Sequence, residues 1–185
     1  MGHGGDVIAE LTTDHREVDE FFEQIEKTTP GNSERKRLVD QLTIELVRHS
    51  VAEEMYLYPA VREHLAGGDN LADREIADHA RVEELLKDLE ERTADDKDFD
   101  RLVIKLKTDV TSHVQDEETN LFVQLRNACP PSALEELGEK VRTAKKIAPT
   151  RPHPGAPSTP PGNKLLAPGA GLVDRARDFV SGRGK

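Results

Sequence analysis

Apolar side chains return every third or fourth position along four successive stretches of this sequence, the period of one face of an α-helix. Ile8, Leu11, Val18, Phe22 and Ile25 make the first stripe, which breaks at Pro30, Gly31 and Asn32. Leu38, Leu42, Leu46, Leu57 and Val61 make the second, bounded by Gly67 and Gly68. Ile76, Val82, Leu86 and Leu89 mark the third; Leu102, Leu106, Val110, Leu121 and Leu125 mark the fourth, which Pro130 and Pro131 stop. A fifth pattern, Ser132 to about Lys146, carries Leu134, Leu137 and Val141 and is expected to pack across one end. Short connections favour antiparallel neighbours. The pattern therefore predicts an all-α protein, an antiparallel up-down-up-down four-helix bundle with an extra C-terminal helix.

The periodicity fails after Ala148, where a run rich in proline, glycine and serine offers too little apolar surface to offset the entropy of ordering it. Residues 1–146 are read as one domain and 147–185 as a disordered proline-rich tail. Within the tail, Leu172, Val173, Ala176, Phe179 and Val180 recur at helical spacing, which gives room for a short amphipathic helix at 171–181. Its few apolar residues and mixed Asp/Arg face leave open whether it docks on an unknown protein partner or on a membrane.

Composition narrows the chemistry. Of the 185 residues, 35% are apolar and 34% charged, a balance suited to helices with narrow apolar stripes. The formal charge of −10 argues against nucleic acid as a partner. Cys129 is the single cysteine, so there is no intrachain disulfide and no thiolate cluster; any metal must be held by nitrogen and oxygen. No apolar run approaches the roughly 18 residues that span a bilayer, and no charged-then-apolar leader opens the chain, so a soluble, cytoplasmic protein is expected.

An internal repeat sharpens the picture. Residues 14–62 align without a gap onto 78–126 at an offset of 64, with 15 of 49 pairs identical. Asp14 and His15 match Asp78 and His79; His49, Glu53 and Glu54 match His113, Glu117 and Glu118. Two such hairpins facing each other predict a pseudo-two-fold axis and a site on it fed equally by both halves.

His15, His49, His79 and His113 all fall on the apolar stripes. Glu53 and Glu117 each follow a histidine by four residues, which puts carboxylate and imidazole on one helical face. One inward histidine is ordinarily a hydrogen-bonded core residue. Four imidazoles and two carboxylates at matching levels of a small core are costly unless a metal pair neutralises them. This donor set suits iron, manganese or zinc.

At these residues the sequence resembles the hemerythrin family, in its bacterial HHE cation-binding branch: one His on the first helix, His-x-x-x-Glu on the second, one His on the third and His-x-x-x-Glu on the fourth. The resemblance covers about residues 5–146. It implies a non-haem, oxo- or hydroxo-bridged di-iron centre of two iron ions, with His15, His49, His79 and His113 as terminal ligands and Glu53 and Glu117 as bridges. It implies a protein that reacts with oxygen, peroxide or nitric oxide as a sensor or by catalase-like peroxide decomposition. The alternative is an iron or oxygen binding or storage protein without turnover. Two departures from the oxygen carriers of the family weigh against oxygen carriage. Glu83 stands where they have a second third-helix His, and Glu118 where they have a bridging Asp. Glu83, one turn beyond His79, is therefore expected as a seventh metal ligand that closes one metal position.

The remaining candidates are weaker. His3 and His153 read as solvated, His64 as a cation near a helix C-terminus, and Cys129 as a helix-end residue. Tyr56 and Tyr58 read as core packing by default, with contact to the site or radical relay as the lesser reading.

Overall fold

The computed structural model describes residues 4–183. Among them every regular element is helical: α1 Val7–Lys27, α2 Ser33–Ala52, α3 Tyr58–His64, α4 Gly68–Glu90, α5 Phe99–Asp116, α6 Phe122–Ala128, α7 Pro131–Ile147 and α8 Gly162–Ser181. Two π-helical turns, Glu53–Leu57 and Glu117–Leu121, join α2 to α3 and α5 to α6 without a break in the rod. Four rods result, α1, α2–α3, α4 and α5–α6, with α1 packed on α2 and α4 packed on α5. Their stripes coincide with the expected ones.

Local chemistry sets the ends. Asp6 caps α1 by accepting from Ala9 N at 2.8 Å, and Asn32 caps α2 by accepting from Glu34 N at 2.9 Å. Between α3 and α4 the chain reverses at Gly67, whose φ of 74° belongs to the left-handed region. Its neighbour Gly68 lies so close to α3 that a Cβ there would overlap the Val61 carbonyl oxygen.

The core divides into two apolar clusters. One, around Leu11, Leu57, Val61, Leu121 and Leu125, lies at the α7 end; the other, around Phe22, Leu42, Leu86, Phe99 and Leu106, fills the far half. The buried histidines and glutamates fall between them along each rod. Helix α7 does not cross the end of the bundle as expected. It lies along α1 and α2, where Gly138 lets it approach the backbone at Gly5–Val7 and Lys145 pairs with Glu10 and Asp14. That buried acidic edge of α1 needs a cation, and the last turn of α7 supplies it.

The tail differs more. Helix α8 begins at Gly162, nine residues before the expected short helix, and the segment from Pro149 onward lies against the bundle. Ordering comes from polar contacts that an apolar count does not see. Asp174 accepts from the Thr150 and Arg151 backbone N–H groups and pairs with His153, while Asp178 accepts from Thr150 Oγ1 at 2.6 Å. Arg151 reaches Glu90 at 2.5 Å. Among the described residues no helix is long and apolar enough to cross a membrane.

Candidate metal centre

All six donors expected from the repeat meet between the two apolar clusters, each at most 6% exposed. Glu53 Oε2 lies 3.1 Å from His49 Nε2 and 3.3 Å from His79 Nε2. Glu117 Oε2 lies 3.4 Å from His15 Nε2 and 3.6 Å from His113 Nε2. Each carboxylate thus touches the histidine of its own rod and one from the other half. Potential ligand atoms of His15, His49, Glu53 and Glu117 fall within 4.8 Å of one another, and so do those of Glu53, His79 and His113.

The outer ring nitrogens are held by a second set of carboxylates. His15 Nδ1 meets Glu118 Oε1 at 2.8 Å, His49 Nδ1 meets Asp14 Oδ2 at 3.0 Å, and His79 Nδ1 meets Glu54 Oε1 at 3.1 Å. His113 Nδ1 lies 3.0 Å from Glu75 Oε2, within ion-pair range but without hydrogen-bond alignment. A carboxylate at Nδ1 orients the ring and keeps a proton there, which leaves the Nε2 lone pair for a metal. Glu54 and Glu118 are repeat-mates and serve equivalent histidines. Asp14 and Glu75 are not: Asp78, the mate of Asp14, instead pairs with Arg81 on the surface. Sequence reasoning misses Glu75, although it sits one helical turn before His79 and is fully buried.

The π turns explain a further residue. In an α-helix the fifth residue onward has rotated away, but a π turn bonds residue i to i+5 and stacks the two. Tyr58 N–H accordingly donates to Glu53 O, and the Tyr58 hydroxyl enters the site 3.0 Å from His79 Nε2, 3.1 Å from Glu117 Oε1 and 3.4 Å from Glu53 Oε2. Contact with the site, the lesser reading from sequence, is where the structure puts Tyr58; Tyr56 lies outside, beneath Lys164. The repeat-mate Phe122 makes the same turn and stacks on His15 with centroids 5.8 Å apart. The centre is therefore symmetric in its His and Glu donors and asymmetric in this one position.

Glu83 is not brought into the cluster. Its Oε1 accepts from His153 N at 2.7 Å, so the residue expected as a seventh ligand binds the tail. His153, read as solvated, keeps 36% of its side chain exposed but is tied down, its Nε2 lying 2.8 Å from Asp174 Oδ2. His64 is exposed in the last turn of α3 and Cys129 caps α6, as expected; His3 lies outside the described residues.

Without a metal, protons do the neutralising. Burial acts against charge on His49, but Glu53 and Asp14 outweigh it and hold the imidazole well above its ordinary value; His79 is pushed up to about 10 against the same burial by Glu53 and Glu54. Glu53 is held well below the usual carboxylate range, since the two imidazoles overcome its burial. Burial, reinforced by Glu117 and Glu53, keeps Tyr58 a neutral phenol. Even so, His15 Nε2, Glu53 Oε1 and Glu117 Oε2 are buried without a hydrogen-bond partner. Such atoms are costly in a protein interior, and a metal is what satisfies imidazole and carboxylate atoms converging on one point. The residues present fit a metal site.

Residues 6–125 match the hemerythrin HHE cation binding domain family. An uncharacterized hemerythrin-like protein of Schizosaccharomyces pombe is 27% identical over 168 residues, covering 90% of this chain and 82% of that protein. A DNA nickase of a Nostoc species is 27% identical over 136 residues, 73% of this chain but 38% of the nickase. The crystal structure of a hemerythrin HHE cation binding domain-containing protein from Mycobacterium kansasii superposes with a TM-score of 0.67 at 24% identity, covering 76% of this chain and 85% of that one. The buried His/Glu cluster fits a cation-binding centre, and with the family match spanning most of the chain the protein belongs to the hemerythrin HHE cation-binding domain family.

Proposed function

We propose that the centre holds two iron ions, which His15, His49, His79 and His113 would hold together with Glu53 and Glu117. Four imidazoles, two carboxylates and no sulfur suit iron, manganese or zinc, and the resemblance to hemerythrins favours iron among them. When bound, the iron pair supplies the one- and two-electron chemistry that the side chains lack. On this reading the protein reacts with a small oxidant, oxygen, peroxide or nitric oxide, as a sensor or by decomposing peroxide.

A single observation carries the small-oxidant reading. A cavity of about 180 Å³ reaches His79 beside Ser50, Glu54 and Glu83, walled by Pro154 and Pro157 of the tail. It brings a molecule of a few atoms up to the His79 ring at one flank of the centre; on the His15 side, Phe122 stacks flat against the imidazole. The chain's own groups then have defined tasks. Glu54, Glu75, Glu118 and Asp14 hold the four rings in place, and Tyr58 holds a proton at its oxygen within reach of the innermost atoms. The apolar clusters on both sides keep bulk water out.

Purified protein is expected to carry close to two iron atoms per chain and to convert two peroxide molecules into two waters and one dioxygen, repeatedly. A stoichiometric spectral change without turnover would favour binding or storage. One tightly held zinc and no iron would overturn the di-iron assignment.

A further inference from the structure

Helix α8 docks on the bundle by its polar side. Asp174 is fully buried and Asp178 nearly so, and a Cβ at Gly171 would overlap the Ile147 and Ala148 carbonyl oxygens. The opposite face carries Leu165, Leu166, Leu172, Val173, Phe179 and Val180, each between 57% and 87% exposed. At the angular step of an α-helix these six fall within an arc of roughly 140°. Contiguous apolar surface of this kind marks a docking face.

Charge identifies the occupant. Asp174 and Asp178, the helix's acidic residues, both point inward and are matched by Arg151, His153 and Arg183. What borders the apolar arc is basic: Lys164, held over the Tyr56 ring at 4.4 Å, and Arg175, which donates to Ala148 O at 3.0 Å, on one edge, with exposed Arg177 on the other. An apolar face flanked by cations is the pattern of a helix lying in the interface of an anionic bilayer. Two copies of this chain meeting on the same face would bring cation to cation with no acid on the arc. The formal −10 of the whole chain does not decide the matter, because charges beyond about 8 Å are largely screened at physiological salt.

We propose that α8 is a peripheral membrane-docking helix, which places its apolar face among the acyl chains and its basic edges on anionic lipid headgroups while the bundle stays in water. The mixed Asp/Arg character that obscures this in sequence is resolved by the fold, which turns the acids in and the bases to the rim.

Full-length protein tested by co-sedimentation should bind vesicles of phosphatidylcholine and phosphatidylglycerol in equal parts. Each basic side chain at an anionic surface strengthens binding about fivefold, so binding to pure phosphatidylcholine should be weaker on the order of a hundredfold. By the same measure Arg177→Glu should weaken binding to the anionic vesicles on the order of twentyfold. Leu172→Asp with Val180→Asp should abolish binding with metal content and helicity kept, since both residues face away from the bundle. Absence of binding by the parent protein, or undiminished binding by the double variant, would overturn the proposal. So would a dimer of the parent, in sedimentation velocity without lipid, that the double variant converts to monomer.

Discussion

The Tyr58 hydroxyl lies 3.1 Å from Glu117 Oε1, joining two rods 59 residues apart in sequence across the middle of the centre. No equivalent bond forms in the other half, where the matching position is Phe122. Tyr58→Phe therefore makes the two halves alike. In the metal-free protein it leaves a buried carboxylate without its donor, at a cost of about 1 to 3 kcal/mol. Urea unfolding of the metal-free variant should show that loss, while its metal content after loading stays at the parent level, because all six His and Glu donors remain. An unchanged urea midpoint would mean that the hydroxyl bond is not formed.

The two tiers of carboxylates should separate on mutation. Glu53→Ala and Glu117→Ala each remove a group that touches histidines from both halves, and most of the metal should be lost. Glu118→Gln keeps the six donors and weakens the hold on His15 Nδ1 along with the surface pair to Arg16, so metal should bind with about 10- to 100-fold lower affinity. Elemental analysis after dialysis against a graded series of chelators measures both effects, with His64→Ala as an exposed control. Equal losses in all four variants would contradict this division of roles.

Much of this centre is legible in the amino-acid sequence, and the reasons are physical. His15, His49, His79 and His113 lie on stripes with the helical period, and the offset of 64 doubles the signal, so the donors can be read as a set. Tyr58 is harder to place, since a 3.6-residue period turns it away from Glu53 and only the π turn returns it. Glu75 escapes because its repeat-mate is Leu11, and the repeat points to Asp78 instead. Glu83 misleads for the opposite reason: its spacing from His79 aims it at the centre, but the His153 N–H, 70 residues on, claims the carboxylate. The order of the tail is hidden because it rests on Asp174 and Asp178 pairing with Thr150 and Arg151, contacts that hydropathy counts against folding.

Glu83 should therefore report on the tail. Burial pushes its carboxyl above the ordinary value, outweighing the His153 N–H bond that favours the ionised form. A folded-state value raised above the unfolded one means that the proton favours docking. That contribution is full below the ordinary carboxyl value of 4.5 and is lost as pH rises through the higher folded value. Limited proteolysis within residues 149–162 should accordingly speed up from mildly acidic to neutral pH. Glu83→Gln, neutral throughout, should flatten that dependence without loss of metal. A steep pH dependence surviving in Glu83→Gln would assign it to another group, and loss of metal would return Glu83 to the ligand set.

Removing the tail after Ala148 tests whether it covers the centre or holds it together. Each of the six His and Glu donors lies on the four rods, and the two apolar clusters draw on the tail only through Ala167. Metal content and helicity per bundle residue should consequently survive truncation. Access should not. Pro154, Ala156, Pro157 and Ser158 complete the wall of the cavity that ends at His79, and the Arg151 to Glu90 pair pins the start of the tail. With that wall gone, His79 and Glu54 face solvent more openly, and a small anion such as azide should reach the loaded centre several-fold faster in stopped-flow absorbance, with little change in its final affinity. An unchanged azide rate would show that small molecules enter by another path. A collapse of metal binding would show that the tail is part of the core.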